Sequence, residues 1–136
     1  MAGVLGVVAV TVGLSHRPVA PSRLITLLAM LPSVAMLGLF YSLAIHMRHN
    51  LGAWPSFYGE RGFSHALLTH ASIAWGYFSI MFVVGIFVWP VAFLVCLLVS
   101  RFRAALFYGG VYALSYMLCF GAMLLAPSQF LNWWWD

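Results

Sequence analysis

Apolar positions run almost unbroken along this chain, and arginines rather than regularly alternating polar residues divide the runs. Between Arg23 and Arg48 lie residues 24–47, in which His46, near the far end, is the one side chain that titrates close to neutral pH. This stretch predicts a first membrane-spanning helix, since a span needs about 20 apolar residues to cross a hydrocarbon core of roughly 30 Å. Pro32 falls about two turns into it and removes one backbone hydrogen bond, a defect that neighbouring helices can satisfy.

Between Arg61 and Arg101 run 39 residues without a formal charge. As a helix they would extend roughly 58 Å, too long for one upright span and too short for two spans and a turn. We read residues 64–72 as an interfacial lead-in and residues 73–100 as the second span, bent by the Trp89-Pro90 pair. A third span follows over residues 104–126, with Pro127 as its stop signal. Beyond it, residues 127–136 mix polar side chains with Phe130 and three consecutive tryptophans, Trp133 to Trp135. Tryptophan settles at the headgroup level, so this tail should lie along the interface.

Residues 1–23 form an N-terminal segment whose first fourteen positions are apolar or Gly except Thr11. As a helix those fourteen would reach only about 21 Å, short of the core thickness. The segment lacks the basic start and small-residue cleavage site of a secretory signal. A short fourth membrane element is the minor alternative to an extended or interfacial segment.

Composition fixes the class. Hydrophobic residues make up 65% of the 136 positions and charged residues 6%, so no water-facing surface large enough to cover such a core can be built. The expectation is one all-α integral membrane domain, a three-helix transmembrane bundle embedded in a lipid bilayer, with residues 48–72 as the extracytoplasmic loop and lead-in. The six arginines, Arg17, Arg23, Arg48, Arg61, Arg101 and Arg103, are scattered rather than clustered, which argues against nucleic-acid binding. With the N-terminus cytoplasmic, four of them face the cytoplasm and two face out, the direction the positive-inside rule favours. The C-terminus is then extracytoplasmic.

Candidate chemistry is sparse. Four of the five histidines, His46, His49, His65 and His70, come from the end of the first span, the first loop and the start of the second span. Two readings apply. They are interfacial residues that bind headgroups and loop carbonyls, with no cofactor or metal; or His46 and His70, the deepest pair, hold haem b or contact a quinone near the outer interface. The only carboxylate nearby is Glu60, and no zinc-type Cys/His spacing is present. The loop itself, with Trp54, Tyr58 and Glu60, is a further candidate for a quinone headgroup or a partner protein.

The third span carries a small-residue groove, Ala105, Gly109 and Ala113 continued at Gly121, of the kind that lets another helix approach. Beside it Tyr108, Tyr112 and Tyr116 recur every four residues, and their hydroxyls need partners such as Ser42, Ser79 or another subunit. Cys96 and Cys119 lie at depths too different for a disulfide. No Asp, Glu, Lys or Arg falls inside a span, which argues against a pump or ion-coupled transporter. Two function classes remain. One is a non-catalytic accessory or scaffold component that packs against other membrane subunits or self-associates through the third span. The alternative is a membrane-anchor subunit that binds haem or quinone for electron transfer.

Overall fold

The computed structural model describes residues 21–55 and 62–136. The N-terminal fourteen residues, Tyr58, Glu60 and Arg61 lie outside them. All regular structure among the described residues is helical, in the order α1 (Arg23–Leu51), α2 (His65–Val83), a π-helical turn (Val84–Val88), α3 (Trp89–Leu98), a short 3₁₀ turn (Ser100–Phe102), α4 (Ala105–Met123) and α5 (Ser128–Trp135). Three helices are long and apolar enough to cross a membrane: α1, the continuous α2–α3 helix over His65–Leu98, and α4.

Local chemistry sets the boundaries. Gly52, at φ 68°, takes the left-handed conformation that ends α1, and the chain turns back so that Trp54 meets Phe130 with ring centroids 6.1 Å apart. The Arg48 guanidinium stands 5.4 Å from the centre of the Trp54 ring and holds the turn by a cation–π contact. At the start of α2, the Ser64 hydroxyl accepts a bond from the Leu67 N–H. The helix therefore begins at His65, and the expected lead-in is continuous with the span that follows it.

The expected disturbance at Trp89-Pro90 takes a definite form. Pro90 cannot donate to the carbonyl one turn before it, and the helix widens over the preceding five residues. There the Trp89 N–H bonds to the Val84 carbonyl five residues back. Gly85 lies in this turn, where a Cβ would come within 3.4 Å of the Tyr116 ring.

Packing follows spacings of three and four. The buried positions are Ser33, Met36, Phe40, Leu43, Ala44 and Met47 on α1, and Leu67, Ala71, Ala74, Phe78 and Met81 on α2. On α4 they are Ser115, Cys119 and Met123. α1 packs most extensively against α4 and next against α2.

α4 is ten residues shorter than α1, a difference of about 15 Å in length. The Tyr41 hydroxyl donates to the Ala122 carbonyl at 2.7 Å, so α4 ends level with Tyr41, well before α1 does at Leu51. α5 occupies the space left above it. Phe130 and Trp134, one helical turn apart, are both fully buried: Phe40 meets Phe130 at 5.0 Å and Trp134 at 5.1 Å, and Trp75 stacks on Trp134 at 4.7 Å. The tail expected at the interface is a short helix, and these two side chains form its inward face. They point into the bundle, because a turn of helix after Pro127 puts them on one face, over the gap that the short α4 leaves open.

Candidate functional site

His46 and His70 each stand five residues from the loop end of their helix, about 7.5 Å along the axis, so α1 and α2 present them at the same level. They meet across the seam. The two Nδ1 atoms are 3.0 Å apart, and the ring centroids 5.3 Å. His70 Nε2 lies 3.1 Å from Ser42 Oγ, and the Ser42 hydroxyl donates to the Leu39 carbonyl at 3.0 Å.

Ser42 and the two imidazoles thus form a continuous chain of polar contacts from the Leu39 carbonyl to His46, in which each ring nitrogen donates or accepts according to its tautomer. Both rings are half-buried, while Ser42, His49 and His65 are exposed.

Ser42 is the member that the sequence reading placed elsewhere, as a partner for the tyrosines. Its position four residues before His46, on the same face of α1, was the available signal. Of the four clustered histidines, only His46 and His70 come together. A haem iron held by both rings would need the two nitrogens about 4 Å apart with a porphyrin between them. In the observed arrangement the rings touch directly and leave no room for that plane. Among the described residues, no three His, Cys, Asp or Glu side chains converge as a metal cluster.

The tyrosine stripe distributes differently from the expectation. Tyr108 accepts from the Ser22 N–H at 2.9 Å, and Tyr77 of α2 donates to the Pro32 carbonyl at 3.1 Å. Tyr112 stacks on Tyr116, and the buried Tyr112 hydroxyl has no partner among the described residues. Nearby, Ser115 donates to the Tyr112 carbonyl and pairs with the fully buried Ser33 hydroxyl at 3.2 Å.

The small-residue groove divides as well. Ala105 and Gly121 are exposed, and Gly109 and Ala113 are half-buried. Gly109 faces Trp89, whose indole N–H donates to the Gly109 carbonyl at 3.1 Å. Within the chain, α4 buries the neighbouring stripe of Ser115, Cys119 and Met123. Cys96 and Cys119 are free thiols. No family model, no curated protein and no solved structure matches this chain. Its class is therefore set by architecture alone: among the described residues, all regular structure is helical and three helices are apolar enough to cross a membrane.

Proposed function

We propose that the chain is a small multi-pass integral membrane protein that serves as a non-catalytic accessory or scaffold component, packing against other membrane helices. Its N-terminus is cytoplasmic and its C-terminus extracytoplasmic. The observation that carries this reading is α3, which buries none of its residues within the chain. Beside it the groove on α4 leaves Ala105 exposed. Large side chains such as Leu94 and Leu98 are well covered by lipid tails, but small residues gain most when another helix backbone comes close.

Photo-crosslinking from residue 105 in native membranes tests the reading. A protein adduct of one defined mass is expected, and Gly109→Leu should abolish it. Lipid adducts alone, with the chain running as a monomer in mild detergent, would contradict it.

A second reading, a membrane anchor holding quinone or haem for electron transfer, rests on the convergence of His46 and His70. The paired imidazoles offer ring nitrogens to a quinone or quinol oxygen, whereas haem requires the rings to part. A Soret band in the purified protein, lost in both His46→Ala and His70→Ala, would favour the haem form over the scaffold.

A further inference from the structure

We propose that His46 and His70 form an acid-sensitive latch at the loop end of the α1–α2 seam, a contact that holds with one added proton and parts with two. The two Nδ1 atoms meet head-on, 3.0 Å apart, with the ring centres 5.3 Å apart along the same line. One hydrogen fits between them, supplied by either ring. Two neutral rings carry one hydrogen each, so the pair has one on this line and one on an Nε2. A first added proton fills the remaining Nε2 and leaves the line as it was. The contact is then an imidazolium donating to an imidazole, a charge-assisted bond stronger than the neutral one. A second added proton puts a hydrogen on both Nδ1 atoms. With N–H bonds of about 1.0 Å, those hydrogens would stand only about 1.0 Å apart on the 3.0 Å line, with two positive rings behind them, so the rings must separate.

The surroundings suit the first proton. The Ser42 hydroxyl donates to the Leu39 carbonyl, and its oxygen accepts the Nε2–H that His70 carries once the pair is charged. The ionisable groups near this end are Arg48 and His49 on α1, His65 opening α2 and Asp136 after α5, all exposed, and α4 and α5 carry no charged residue. Arg48 is itself positive and turned to the Trp54 ring, so it does not offset a second charge. With the latch closed, the folded protein therefore binds one proton fewer than the unfolded chain, in which both rings titrate freely. Its unfolding constant should rise about tenfold per pH unit of acidification between the ordinary histidine range, about 6.5, and that of the carboxylates, about 4.3. The latch works the same way whichever side of the membrane the loop faces.

The test uses the full chain with ¹⁵N-labelled histidine, reconstituted in nanodiscs and acidified from about pH 8 to about pH 4, across the histidine range. Imidazole spectra should show a ¹⁵N–¹⁵N coupling between the two Nδ1 nuclei, carried by the hydrogen bond, that survives uptake of the first proton and vanishes with the second. Reversible unfolding in mixed micelles over the same range is the second readout. The amide of His46→Gln can donate one hydrogen to a neutral His70 or accept one from a charged His70, and it takes up no proton itself, so this variant should lose the tenfold-per-unit dependence. His70→Gln should lose it for the same reason. His49→Gln, His65→Gln, Glu60→Gln and Asp136→Asn should keep it. The proposal is overturned if the coupling is absent near neutral pH or persists with both rings charged, if His46→Gln and His70→Gln stay as acid-sensitive as the parent, or if any of the other four variants abolishes the dependence.

Discussion

Removing the Trp134 indole should unseat α5 from the bundle. Trp134 is fully buried, stacked on Trp75 at 4.7 Å and edge-on to Phe40 at 5.1 Å and to Phe78 at 5.5 Å. At about 0.5–1.5 kcal/mol per aromatic pair, these three contacts together supply roughly 1.5–4.5 kcal/mol. The cavity left by Trp134→Ala adds to the loss. One effect opposes it: the indole N–H is buried without a hydrogen-bond partner, a standing cost of about 1–3 kcal/mol that the truncation relieves. We expect a net loss of about 3 kcal/mol, the low end of the range for deleting a buried Phe or Trp. Trp134→Phe keeps most of the ring packing and also removes the unpartnered N–H, so its loss should be about 1 kcal/mol. Trp135→Ala, at a position 46% exposed with weaker edge contacts to Phe78 and Phe120, is the comparison and should cost less. Reversible unfolding in mixed micelles, followed by tryptophan fluorescence, measures all three. A Trp134→Ala loss below about 0.5 kcal/mol, or one equal to that of Trp135→Ala, would refute the docking of α5.

Three further outcomes follow from single contacts. Gly109→Ala should be tolerated, because its Cβ would lie 3.8 Å from Trp89 Nε1, whereas Gly109→Leu should displace that indole and cost about 2 kcal/mol in the same assay. Tyr77→Phe removes the bond to the Pro32 carbonyl and should cost about 1 kcal/mol, read as a lower unfolding midpoint. Ser33→Ala should cost no more than about 1 kcal/mol, because the Ser115 hydroxyl keeps its bond to the Tyr112 carbonyl; a loss several times larger would show that the serine pair supports more than itself.

Much of the helix order is legible in the sequence because charge is so rare that each arginine pair marks a place where the chain leaves the apolar phase. Arg23 opens α1 and Arg48 stands in its last turn, and Pro127 lies in the short turn that follows α4. The meeting of His46 and His70 was also readable, since each lies near the loop end of its helix. Two things were not. α4 is apolar on every side, so hydrophobic periodicity could not distinguish the stripe it buries, Ser115, Cys119 and Met123, from the groove of Ala105, Gly109 and Ala113 beside it. The inward face of the tail was opaque for a different reason. Tryptophans suit an interface and a packed core alike, and only the shortness of α4 relative to α1 decides which place Trp134 takes.

The account stands on three helices crossing a bilayer, and topology mapping tests this most directly. Reporter fusions placed directly after Arg103, at the α3–α4 turn, and at Asp136 would read the two ends of the third helix. The account predicts opposite sides, with the Arg103 fusion cytoplasmic and the Asp136 fusion extracytoplasmic. Both reporters on the same side would contradict it.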